Sequence, residues 1–246
     1  MNKIRKLITR MMPDYGFLPV IFSFLFNNLI YGGSKLITQN WYHHNIESSL
    51  DEKLPFIPWT LLIYFGCYLF WAVNYILIAR QDKNSVYQFF AGDVLSRVIC
   101  LIFFLFFPTT NTRPVLSESG FWNLAMSFLY SVDTASNLFP SIHCLVSWFC
   151  FIGIRGNQKI PLWYRAFSFV AAILVFISTL TTKQHVLIDV AGGVLLAEIC
   201  FRIGRHSKIS VIYGKLFDAA TLRLFPRGYN KTNEKKVEEK YNDRFL

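Results

Sequence analysis

LWYRAFSFVAAILVFISTLTTKQHVLIDVAGGVLLAEICFRI, residues 162–203, holds two apolar runs, Leu162–Leu180 and Val186–Ile203, on either side of the polar turn TTKQH. A helix needs about 20 mostly apolar residues to cross the hydrocarbon layer of a bilayer, so this stretch reads as two spans joined by a short turn. Working outward, four further runs of this kind precede it: Gly16–Ile37, Phe56–Ala79, Gln88–Phe107 and a shorter one, Pro140–Ile154. The pattern predicts an all-α, polytopic six-helix membrane bundle. The first run follows basic residues as a signal peptide would, but no small-residue cleavage site follows it, so it reads as a retained span. A separate segment, Phe121–Tyr130, is apolar but too short to span and is expected to lie at the outer interface.

Composition agrees with this reading. Of 246 residues, 53% are hydrophobic, 17% aromatic and only 16% charged, with 25 Phe. This is too apolar for an ordinary soluble domain or for a disordered chain. Cys67, Cys100, Cys150 and Cys200 sit inside the apolar runs, which argues for buried thiols and against a disulfide scaffold. The net charge of +10 would suit a nucleic-acid partner, but the basic residues lie mostly between and beyond the apolar runs. They collect at Lys3, Arg5, Lys6 and Arg10, at Arg80 and Lys83, at Arg155, Lys159 and Arg165, and after Phe201. These segments share one side of a six-span bundle, and the positive-inside rule places both termini in the cytoplasm. Nucleic acid is set aside as a partner. Residues 1–214 read as one membrane domain and 215–246 as a charged cytoplasmic tail.

Polar residues within the runs are costly in lipid. Asn27, Asn28, Asn74, Asp93, Arg97 and Glu198 are therefore expected to face the bundle, with Asp93 and Arg97 paired four residues apart. His43 and His44 have no carboxylate at ligand spacing and read as a solvated pair, while Asp133 and Asn137 read as loop-shaping residues.

Three polar clusters fall on the outer side: TNTRP with Arg113, NLFPSIHC with Ser141 and His143, and STLTTKQHVLID with Lys183, His185 and Asp189. A carboxylate four residues after a histidine can fix its tautomer and leave the other nitrogen as a nucleophile or base. Pro140 suits the first turn of a helix whose N-terminal N–H groups, at Ser141 and Ile142, would attract an anion. Two imidazoles, a carboxylate, two cations and a helix N-terminus are the parts needed to hold and transfer a phosphoryl group without a metal.

The order and spacing of these clusters resemble the type 2 phosphatidic acid phosphatase superfamily, whose pattern is K-x6-R-P, P-S-G-H and S-R-x5-H-x3-D. Arg113 and Pro114 match the first motif, Pro140, Ser141 and His143 the second, and Ser178, His185 and Asp189 the third, within residues 106–193. Phe106 stands at the first-motif Lys, Ile142 at the Gly and Thr179 at the third-motif Arg, so two expected cations are missing. The sphingomyelin and inositol phosphorylceramide synthases are similar in keeping the His, His and Asp while relaxing the flanking motifs.

The resemblance implies a lipid phosphatase at the outer face of the cell membrane, needing no cofactor and no metal. His185 is then the nucleophile, Asp189 its orienting carboxylate and His143 the acid and base, with Arg113, Lys183 and Ser141 on the phosphate. The expected partners are a phosphorylated membrane lipid and the bilayer itself. A lipid phosphotransferase is the alternative, and a non-catalytic lipid-binding or transport protein a third reading.

Overall fold

The computed structural model describes residues 11–117 and 119–224. The basic N-terminal residues Lys3, Arg5, Lys6 and Arg10, and the tail beyond position 224, lie outside the described residues. The helices are α1 (Asp14–Thr38), α2 (Ser49–Glu52), α3 (Leu61–Ala79), α4 (Lys83–Phe106), α5 (Phe121–Val132), α6 (Ile142–Arg155), α7 (Leu162–Thr181), α8 (Leu187–His206) and α9 (Ile209–Leu224). A single turn of 3-10 helix, Pro58–Thr60, leads into α3.

The surface pattern is that of a membrane protein. Large apolar side chains point outward, with Leu25, Leu29, Leu62 and Leu69 each at least 60% exposed. Polar ones point inward, among them Ser23, Ser34, Thr38, Asn74, Ser96 and Ser168. An exposed apolar belt with polar side chains gathered inside is stable only where the surroundings are themselves apolar. α1, the segment Pro58–Ala79, α4 and α7 are long and apolar enough to cross a membrane. α6 has 14 residues, about 21 Å at the helical rise, and α8 carries Asp189, Glu198, Arg202 and Arg205.

Two helices organise the bundle. α4 packs against α1, α8 and α9, and α6 packs against α3, α7 and α8. The α4–α8 crossing is close because it is built on glycine: a Cβ added to Gly92 would lie 2.5 Å from the Cys200 carbonyl oxygen. Between them Phe89, Phe90, Phe149 and Ile78 fill the core. The expected ion pair is present, with Arg97 Nη2 2.9 Å from Asp93 Oδ1. The Tyr75 hydroxyl (2.8 Å) and the Ser23 hydroxyl also donate to Asp93. These contacts compensate two charges buried between helices. Asn28 departs from expectation: it is exposed, and its amide donates to the Phe24 carbonyl one turn back at 2.8 Å. A helix satisfies a polar side chain this way without a neighbouring helix. The five cysteines are free and buried.

α9 runs across position 215, where the sequence suggests a tail. Gly214 lets it approach Tyr87, and Asp218 accepts from Lys83 Nζ (2.8 Å) and the Tyr87 hydroxyl (2.6 Å). On the opposite end of the bundle, His44 and Asn45 (β1) pair in parallel with Thr109 and Thr110 (β2), and the His44 ring stacks on Phe107, so this residue is a loop anchor. The Thr109 hydroxyl then accepts from Leu138 N (3.0 Å) and Phe139 N (2.8 Å), which fixes the chain just before α6. α5, the short apolar helix, buries Met126 and Leu129 against Leu61 and Tyr64.

Candidate active site

The turn between α7 and α8 builds the first half of the site. Lys183 adopts a left-handed conformation (φ 54°), which reverses the chain so that Gln184 N and His185 N both donate to the Thr179 carbonyl, at 3.0 and 3.1 Å. His185 lies before the helix, not on it, since Val186 is the N-cap of α8. Asp189 reaches back across the first turn. Its Oδ2 accepts from Val186 N (3.1 Å) and lies 3.1 Å from His185 Nδ1, so one carboxylate caps the helix and orients the imidazole. An ionised carboxylate only accepts, so Nδ1 carries the proton and Nε2 keeps its lone pair.

The second half comes from the start of α6. Ser141, not Pro140, opens this helix: it is the N-cap, and its hydroxyl accepts from Cys144 N at 3.2 Å. Its own N–H donates to the Asp189 carbonyl (3.2 Å), and Gly193 lies close enough that a Cβ there would be 2.7 Å from the Ser141 carbonyl oxygen. Ser141 therefore joins α6 to α8, with its N–H already committed. Pro140 lies one residue outside the helix, in the bend that follows the Thr109 contacts.

One residue into α6, His143 is 4% exposed and its ring centroid is 5.8 Å from that of His185. Tyr64 (4.5 Å), Trp71 (5.5 Å) and Tyr68 (6.2 Å) of α3 surround it. The Tyr64 hydroxyl lies 3.5 Å from His143 Nδ1 and donates to Asp133 Oδ2 at 2.7 Å. With its proton committed to Asp133, the phenol oxygen faces Nδ1 as an acceptor, which leaves Nε2 buried and without a partner. The two histidines thus share one logic, each with Nδ1 held from behind.

Asp133, read from sequence as a loop residue, proves to be the hub of this region. Besides Tyr64 it accepts from Tyr31 (2.5 Å) and Lys35 Nζ (2.6 Å), and its carbonyl accepts from Arg113 Nη1 at 2.8 Å. Burial alone would raise the Asp133 carboxyl, but the Lys35 ammonium and the hydrogen bonds on it outweigh that. They hold it well below the usual carboxylate range. A carboxylate with a depressed folded value contributes stability that is complete above its ordinary value of 3.8 and is lost as pH falls from there. Asp133→Asn should therefore destabilise the protein at pH 7 by about 3 kcal/mol, since it leaves the largely buried Lys35 ammonium without a counter-charge. Thermal unfolding in detergent should show this gap narrowing below pH 3.8. A constant gap across that range would disprove the assignment.

Arg113 also donates through Nη2 to Gln184 Oε1, and its guanidinium lies 4.4 Å over the Tyr130 ring. The Lys183 ammonium is directed elsewhere, to the Asp51 carbonyl at 2.8 Å, tying α2 to the turn. Phe106 is 83% exposed at the end of α4. Thr179 is fully buried, with its hydroxyl donating to the Phe176 carbonyl (2.8 Å) and its own carbonyl holding the His185 turn. Neither position brings a cation, and the lysine that α1 supplies to this region is Lys35. Its signal was faint: a lysine in the last turn of an apolar helix, at the level of the outer clusters. Among the described residues, no three His, Cys, Asp or Glu side chains gather at metal-binding spacing.

His143, His185, Asp189 and Arg113, drawn from three separate stretches of chain, meet at one end of the bundle. A profile of the PAP2 superfamily matches residues 38–203, while no curated protein and no solved structure matches the chain. With more than half of its length described by that profile, the chain belongs to the PAP2 superfamily, the type 2 phosphatidic acid phosphatases.

Proposed function

We propose that the protein is a metal-independent lipid phosphatase that hydrolyses a membrane lipid phosphate or pyrophosphate at the outer face through a phosphohistidine. The observation that carries this reading is the pair of buried imidazoles 5.8 Å apart, with Asp189 on the far nitrogen of one of them. His185 Nε2 attacks phosphorus. The bond to the lipid oxygen breaks, its electron pair leaves with that oxygen, and His143 in its imidazolium form protonates it from Nε2. Water then attacks the phosphohistidine, His143 takes its proton, and the P–N bond returns its pair to His185. Arg113 offsets the charge on the transferring group.

Membership of the superfamily supports phosphatase-type chemistry, and the apolar outer surface supports a lipid-like substrate. The topology proposed with it has six spans, α1, α3, α4, α6, α7 and α8, both termini cytoplasmic and the site extracytoplasmic in the cell membrane. Arg80, Lys83, Arg155, Lys159 and Arg165 lie at the end away from the histidines, as that orientation requires.

A second reading, a lipid phosphotransferase in which an alcohol replaces water, is favoured by the scarcity of cations. Lys183 bonds to Asp51, Lys35 is paired with Asp133, and Phe106 and Thr179 bring no charge. A singly charged phosphodiester needs less compensation than a phosphomonoester dianion. Purified protein in detergent, with chelator present, should release inorganic phosphate from phosphatidate, phosphatidylglycerophosphate or a polyprenyl diphosphate. Loss of turnover on adding chelator, or no release from any of the three, would refute the phosphatase reading.

A further inference from the structure

Gln184 sits between Lys183 and His185, is 2% exposed, and is a large polar side chain that no catalytic step above requires. Its Oε1 accepts from Arg113 Nη2. A guanidinium only donates, so this contact fixes which end of the amide is which. The NH2 group must then point the other way, and Gln184 Nε2 is buried with no partner, as is Arg113 Nε. Burying an amide or guanidinium N–H without an acceptor is costly, and native proteins rarely leave two such donors on bonded neighbours. His143 Nε2 is a third buried orphan in the same region. The two unsatisfied donors on Gln184 and Arg113, beside an imidazole nitrogen that becomes a third donor when His143 is protonated, fit a ligand with several acceptor oxygens around one centre, which is a phosphoryl group.

We propose that Gln184 is a phosphate-binding residue: its amide N–H donates to a phosphoryl oxygen while its carbonyl holds Arg113 for a second one. A neutral donor would thereby serve where cations are lacking at Phe106 and Thr179. The proposal rests on the reading of this site as one for phosphoryl transfer. The rival role for Gln184 is a mere anchor for Arg113, and the two roles diverge in one substitution. Gln184→Glu keeps, and strengthens, an acceptor for the guanidinium but replaces the N–H donor with a negative charge facing the phosphate. Gln184→Met removes both groups.

The test measures inorganic phosphate binding by calorimetry to the purified full chain in detergent, with thermal unfolding and lipid phosphate turnover run alongside. Affinity should fall in the order wild type, Met, Glu, with Gln184→Glu weaker than wild type by about 10- to 100-fold, the size of one lost charge-assisted hydrogen bond. Thermal stability should not follow that order, because the Glu variant keeps its bond to Arg113. Phosphate binding by Gln184→Glu within twofold of wild type would overturn the proposal, as would a wild-type protein that binds no phosphate. Lipid turnover without any dependence on Gln184 would sink this inference and leave the phosphatase reading intact. Phosphate binding in the expected order, with no lipid turnover, would do the reverse.

Discussion

His185→Ala is expected to abolish turnover, by about four orders of magnitude or more, because no other group can take the phosphoryl from the lipid in its place. Asp189 holds Nδ1 of this imidazole from behind, and its second contact, to Val186 N, is part of the α8 cap. Removing the ring leaves that cap intact. The variant should fold and insert as wild type does, and thermal unfolding in detergent should show it within a few degrees of the parent. Residual turnover within tenfold of wild type, on the substrate the native protein cleaves best, would exclude His185 as the nucleophile.

The second large effect belongs to His143. As the acid that protonates a lipid alkoxide, it should contribute about 10²- to 10⁴-fold, and His143→Asn should lose that factor on lipid substrates. In the first turnover, before the phosphohistidine has to be hydrolysed, the loss should shrink sharply with p-nitrophenyl phosphate, whose leaving group departs without a proton. This contrast separates general acid catalysis from packing. His143 lies among Tyr64, Tyr68 and Trp71, and a substitution that only loosened those rings would slow both substrates alike. Equal losses on both would therefore show that the imidazole shapes the site without donating the proton.

The helices were legible in the sequence because apolar length is a local property. α1, α3, α4, α6, α7 and α8 begin and end within a few residues of where the apolar runs do. α9 was not legible: Lys215, Asp218 and Arg223 dilute its apolar face, and its docking depends on Lys83 and Tyr87, far away in the chain. The histidines and Asp189 could be read because helix starts and four-residue spacing are also local. Arg113 could be grouped with the histidine clusters, but not placed onto Asp133 and Gln184, the latter 71 positions away. Lys35 escaped for the same reason, since its partner Asp133 lies 98 positions on. Ser141 was legible as a polar residue at a helix start, yet its commitment to Cys144 and Asp189 appears only when α6 meets α8. Lys183 shows the limit of charge accounting: a lysine two residues from His185 looks like a phosphate ligand, and a left-handed turn sends its ammonium to Asp51.

The central claim is a covalent phosphohistidine at His185, and trapping it is the most direct test. His143→Asn protein, given a radiolabelled aryl phosphate whose leaving group needs no acid, should accumulate label because the second step lacks its base. The label should be stable in alkali, labile in acid, and located by peptide mapping on His185, with none incorporated when His185 is replaced by Ala. Turnover by the wild type with no such label, or label mapped to any other residue, would contradict the account.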